Sequence, residues 1–136
     1  MNKGVILDTG PLVAFMDRAE QHHAWACEQF QTFQAPFLTC EAVLTECLFL
    51  LRRLPAAQAK LLHLAARGAL RLDFRLNEEI QAIAKMQAKY QTVPMSLADS
   101  CLVRMAEMTG YPICTLDSDF LIYRKRDGHP IDLITP

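Results

Sequence analysis

Four acidic residues of this 136-residue chain occupy positions where carboxylates can do chemistry together. Asp8 directly follows the apolar run Gly4-Val5-Ile6-Leu7, and Asp117 directly follows the run Pro112 to Leu116. Taken singly, an Asp after a strand also reads as a helix cap or turn residue. Glu46 lies in a helical segment, about 40° around the wheel from Leu50 and about 60° from Val43, on the shoulder of the apolar face. Asp99 falls within about 40° of Val103 and Ala106 on its own helix. Ser96-Leu97-Ala98-Asp99 also matches a capping box, in which Asp99 reaches back to the helix start.

Two acids at strand ends and two on helix shoulders can converge on one pocket. Adjacent carboxylates repel and raise one another's pKa, so such a cluster calls for a counterion. Asp and Glu oxygens with no His or Cys pattern nearby are the ligand set of Mg2+ or Mn2+, hard ions that keep water and coordinate phosphate oxygens. Until a metal reverses the local sign the pocket repels phosphate, which couples metal binding to substrate binding. The chemistry implied is metal-assisted hydrolysis of a phosphodiester.

The elements that must position these residues alternate. The strand over residues 4–7 runs into Asp8-Thr9-Gly10-Pro11 and a helix through Leu12 to Met16. A helix is expected over Gln21 to Phe33, a strand over Pro36 to Thr39, and a helix over Glu41 to Arg53 whose Arg52 and Arg53 face the negative end of its dipole. Pro55 opens a helix that Gly68 closes, and Ala69 to Phe74 reads as a third strand. Helices over Glu78 to Gln91 and Ser96 to Thr109 precede a fourth strand at Pro112 to Leu116 and a last one near Ile131 to Ile134. Strands separated by helices imply an α/β fold with helices on both faces of a mainly parallel sheet. Ligands of such sheets bind beyond the C-terminal ends of the strands, where Asp8 and Asp117 lie.

Composition agrees with one folded unit, residues 1–136, without repeats or linkers. Hydrophobic residues make up 51% of the chain, which excludes a disordered scaffold. Fourteen Lys and Arg against 15 Asp and Glu give a net charge of −1, so a nucleic-acid partner must be held locally rather than by a large basic surface. No apolar stretch approaches the ~20 residues of a membrane span, and a cytoplasmic protein with no membrane association is expected. The five cysteines form no CxxC pair and read as reduced packing residues. The four histidines show no ligand spacing, and Trp25, Phe30 and Phe33 read as core or subunit-contact residues at helical spacing.

Four segments, in order, resemble those of the PIN-domain nucleases, and among them the small VapC-type toxins of toxin–antitoxin pairs. They are Val5-Ile6-Leu7-Asp8-Thr9-Gly10, Leu44-Thr45-Glu46, Leu97-Ala98-Asp99 and Thr115-Leu116-Asp117-Ser118-Asp119-Phe120. The resemblance implies a PIN-like three-layer α/β/α fold with a central mainly parallel sheet. It implies that Asp8, Glu46, Asp99 and Asp117 are the catalytic metal ligands, with Asp119 as a fifth acid. Thr9, Ser96 and Thr115 would support the ligands or touch substrate. Many relatives carry an Asp where this chain has Ser96, a departure that bears on the number of bound ions. Arg124, Lys125 and Arg126 follow the strand that carries Asp117 and could meet RNA phosphates, although such a run also reads as a solvated loop.

The implied activity is that of a Mg2+- or Mn2+-dependent endoribonuclease acting on a structured RNA, with a cognate antitoxin and a homodimer as expected assemblies. A catalytically silent PIN-like module that binds protein or RNA is the alternative, against which the retention of a self-repelling acidic cluster counts. A receiver or haloacid-dehalogenase-like phosphatase fits the length and Asp8. It fails because Asp8-Thr9-Gly10 lacks a second Asp and no suitably placed Lys follows Asp117.

Overall fold

The computed structural model describes residues 4–34 and 36–136. Its centre is one five-stranded sheet in the order β3-β2-β1-β4-β5, every pairing parallel. The strands are β1 (Val5–Leu7), β2 (Phe37–Leu38), β3 (Leu70–Arg71), β4 (Ile113–Cys114) and β5 (Leu133–Ile134). The helices are α1 (Thr9–Met16), α2 (His23–Thr32), α3 (Glu41–Leu50), α4 (Pro55–Ala66), α5 (Leu76–Lys89) and α6 (Leu97–Thr109), with a one-turn 3-10 helix at Ser118–Leu121. Right-handed crossovers place α1–α4, on the path from β1 to β3, on one face of such a sheet. They place α5 and α6, on the return path to β4, on the other. The α/β/α expectation holds.

The chain leaves β1 toward β2 and β3, then returns to the opposite side of β1 for β4 and β5. The strand order therefore reverses between β1 and β4, which opens a crevice above their C-terminal ends. Register brings Leu7 beside Cys114, and the Asp8 N–H donates to the Cys114 carbonyl at 3.0 Å. Asp8 and the residues after β4 thus emerge side by side. Beneath them Ile6, Leu12, Val43, Leu102, Val103 and Ile113 are fully buried. At about 1.5–3 kcal/mol for each large apolar side chain, this burial keeps the crevice walls rigid.

The strands are shorter than their apolar runs suggest. Beyond β2 the Thr39 N–H donates to Arg71 at 3.1 Å, and beyond β4 the Thr115 N–H donates to Ile134 at 3.1 Å, so pairing fades over single bonds. Helix α1 starts at Thr9 rather than Leu12, because the Asp8 carboxylate caps it by accepting from the Thr9 N–H. Helix α3 ends at Leu50, and Arg52 lies in the turn beyond it. There its guanidinium donates to the Phe49 carbonyl at 3.0 Å and sits 4.3 Å from the Phe49 ring centre. Phe30 stacks between Phe15 and Phe37, and Trp25 and Phe33 are part-buried against the core. All five cysteines are free, and burial pushes the Cys47 and Cys114 thiols up to about 12, which keeps them neutral. No helix among the described residues is long and apolar enough to cross a membrane.

Candidate active site

An open cavity of about 570 Å3 lies at the reversal point. Asp8, Glu46, Asp99 and Asp117 all line it, together with Thr9, Ser96 and Ser118. They reach it from four separate segments: the end of β1, α3, the first turn of α6, and the turn after β4. Among the described residues no Lys, Arg or His lines it. Asp119 is not among them either; its N–H donates to Asp117 Oδ1 at 2.9 Å. Arg124 and Arg126 line a different cavity, and Lys125 lines neither.

Asp8 is the most enclosed of the four, 7% exposed. Its Oδ1 accepts from the Thr9 N–H at 2.7 Å and its Oδ2 from the Thr115 hydroxyl at 2.7 Å. Thr115, fully buried, also accepts from the Asp117 N–H at 2.9 Å, so one hydroxyl ties the two strand-end acids together. Burial pushes the Asp8 carboxyl up to about 6, against the two hydrogen bonds that lower it, and the charges of Asp99 and Asp117 add to the rise. The Asp99 carboxyl is also raised, chiefly by burial.

The other three carboxylates each commit one oxygen to the protein. Glu46, on an exposed stretch of α3, accepts from the Thr9 hydroxyl at 3.0 Å through Oε1. Asp99 accepts from the Tyr123 hydroxyl at 3.1 Å through Oδ2, and Asp117 holds the 3-10 helix through Oδ1. Glu46 Oε2 and Asp117 Oδ2 receive no hydrogen bond from the described residues. Asp8 and Asp117 thus cap the helices that follow them and also line the cavity. At α6 the cap is Ser96, whose hydroxyl accepts from the Asp99 N–H at 3.0 Å. The Ser96 hydroxyl and N–H in turn help lower the Asp99 carboxyl, as a capping box requires, while Asp99 still lines the cavity.

Tyr123 carries no chemical signal in the sequence beyond its place in a short apolar run. It is fully buried, its ring edge-on to Tyr90 and Phe120 at 5.2 and 5.4 Å between centres. Burial and the Asp99 charge raise its phenol pKa, so the hydroxyl keeps its proton and donates to Asp99.

The donor chemistry fits a hard divalent cation. Every polar side chain at the cavity offers oxygen, and the charges of Asp99 and Asp117 add to the rise that burial causes at Asp8. Among the described residues no three His, Cys, Asp or Glu side chains form a ready-made cage for an ion.

Residues 5–126 match the family description of the PIN domain. No curated protein sequence matches the chain significantly. Among solved structures it is similar to the sarcin-ricin loop cleaving toxin VapC20 of Mycobacterium tuberculosis, at 17% identity and a TM-score of 0.75 over 85% of this chain and 91% of that one. It is also similar to a chain of VapBC2 from Rickettsia felis, solved bound to a DNA fragment from its promoter. There the identity is 13% and the TM-score 0.64, over 98% of both chains. At these identities the likeness is one of fold.

Proposed function

Since the chain belongs to the PIN domain family, we propose that it is a divalent-metal-dependent endoribonuclease and the toxin of a toxin–antitoxin pair. One observation carries the reading: four carboxylates from four segments converge on one cavity that no cation lines. The similarity to a sarcin-ricin loop cleaving toxin and to a toxin–antitoxin complex supports a structured RNA as substrate and an antitoxin as partner. A cytoplasmic homodimer belongs to the same proposal, and sedimentation of the purified chain tests the dimer.

Asp8, Glu46, Asp99 and Asp117 would hold Mg2+ or Mn2+. When bound, such an ion supplies an activated water and offsets charge on the leaving oxygen. The protein fixes the rest. Thr115 and the Thr9 N–H lock the Asp8 carboxylate in one orientation, and Thr9 sets Glu46. Tyr123 holds Asp99 in place through Oδ2. The metal-free cavity repels a phosphodiester, so RNA and cation bind together.

The test is cleavage of a labelled RNA pool with Mn2+. The expected result is cleavage that EDTA stops and that folded Asp8→Asn and Asp99→Asn proteins lack. Equal cleavage by wild type and both variants overturns the site assignment. No cleavage of any RNA together with no calorimetric Mn2+ binding favours the silent module instead.

A further inference from the structure

A second cavity, about 410 Å3, lies between α5, α6 and the segment that follows the 3-10 helix. Five cations line it: Lys85, Lys89, Arg104, Arg124 and Arg126, against the three acids Glu78, Glu79 and Glu107. The acids are engaged. Arg104 Nε donates to Glu79 at 2.7 Å and its Nη1 to Glu107 at 3.3 Å, a part-buried triad in the cavity wall. Glu78 lies 3.9 Å from Arg75. Arg124 is engaged too, its guanidinium donating to the Leu121 and Tyr123 carbonyls at 2.7 and 3.0 Å. The Lys85, Lys89 and Arg126 side chains are exposed and have no ion-pair partner among the described residues, while the Arg126 backbone N–H donates to the Glu107 carboxylate. Three unpaired cations around one concavity of this size form a site for anionic groups.

This cavity is joined to the acidic one by a rigid partition. Tyr90, in its wall, packs edge-on against Tyr123 at 5.2 Å, and the Tyr90 hydroxyl accepts from the Arg124 N–H at 2.7 Å. Tyr123 in turn donates to Asp99. The unpaired positive charge therefore stands one pair of edge-on rings away from a carboxylate of the acidic cavity. A strand whose scissile phosphate lies among four carboxylates needs cations for its neighbouring phosphates, and the acidic cavity has none. The net charge of −1 leaves any such cations to a local cluster.

We infer that the α5–α6 cavity is a phosphate-binding subsite, in which Lys85, Lys89 and Arg126 hold the RNA backbone flanking the bond cut at the acidic cavity. The inference rests on the nuclease reading and extends it to substrate positioning. An acidic protein segment would also suit the charge, but it has no need of the shared partition with Asp99.

The experiment measures binding of labelled single-stranded RNA by anisotropy, in Ca2+ and across a salt series, with RNA integrity checked on a gel. The test variant is Lys85→Gln/Lys89→Gln/Arg126→Gln. The control is Arg18→Gln/Arg53→Gln/Arg67→Gln, which removes as many exposed, carboxylate-free cations elsewhere. At about 0.7 per phosphate contact on a single strand, the test variant should lose about 2 from the slope of log affinity against log salt, and the control nothing. Its calorimetric Mn2+ binding should match wild type. Equal slopes for wild type and test variant overturn the subsite, as does a glutamate-rich peptide that binds wild type but not the test variant while RNA binding is unchanged. If wild type neither binds Mn2+ nor cuts RNA but the slope still falls, the subsite stands and the nuclease reading fails.

Discussion

Replacing Asp8 by Asn should stabilise the metal-free protein at neutral pH, against the usual expectation for a nearly buried, hydrogen-bonded side chain. The Asp8 carboxyl is raised from about 3.8 to about 6, chiefly by burial. At ~1.36 kcal/mol per pKa unit, the ionised group costs the folded state about 3 kcal/mol above pH 7. The folded pKa lies above the unfolded one. The favourable contribution of this group is therefore complete below about 3.8 and lost as pH rises through about 6. Asn keeps the shape and the bond from the Thr9 N–H, but presents an amide to the Thr115 hydroxyl, which gives back about 1 kcal/mol. The net gain is about 2 kcal/mol above pH 7, and the difference closes or reverses below pH 4. Urea unfolding of both proteins in EDTA, from pH 4 to 8, reads this directly. Saturating Mn2+ should then reverse the order, adding about 2.7 kcal/mol to wild type at a hundredfold excess over Kd and little to the variant. A variant less stable than wild type at pH 8 in EDTA, or equal Mn2+ stabilisation of both, refutes the reasoning.

Substitutions at three other positions probe the supports of the site. Thr115→Val removes the hydroxyl shared by Asp8 and the Asp117 N–H and should cost roughly 2 kcal/mol in denaturation. Because that hydroxyl lowers the Asp8 pKa, the pH–rate profile should also move to higher pH. Ser96→Ala should lose about 1 kcal/mol of helix capping, whereas Ser96→Asp keeps a cap and adds a carboxylate, and calorimetry should show tighter or additional Mn2+ binding. Gly10→Ala places a methyl 3.2 Å from the Leu116 side chain, next to Asp117. Cleavage should fall several-fold, while the melting temperature changes little because helix propensity gained (about 1 kcal/mol) offsets the crowding.

The strand-end acids were legible because their signal is local: an apolar run, then an Asp, at both β1 and β4. Parallel adjacency of those strands turned two local signals into one site. Helical phase placed Asp99 well. Glu46 sits on a more exposed stretch than its wheel position suggests, and it faces the cavity while bonded to Thr9. What the sequence hid is long-range. Tyr123 meets Asp99 across 24 positions, and Thr115, expected by resemblance to support the ligands, meets Asp8 across 107. Nothing in either residue's neighbourhood announces its partner. Chain proximity to Asp117 pointed Arg124 and Arg126 toward the acidic cavity. The 3-10 helix and the bond from the Arg124 N–H to Tyr90 instead carry the segment around to the α5–α6 side.

The most direct test of the central claim, that the four carboxylates gather a divalent cation, is an amide NMR spectrum recorded as Mn2+ is added below one equivalent. Paramagnetic broadening should first erase the signals of Asp8, Thr9, Gly10, Glu46, Asp99 and Asp117, and Asp8→Asn should abolish that pattern. Broadening that spares these residues, or that is unchanged in the variant, contradicts the account.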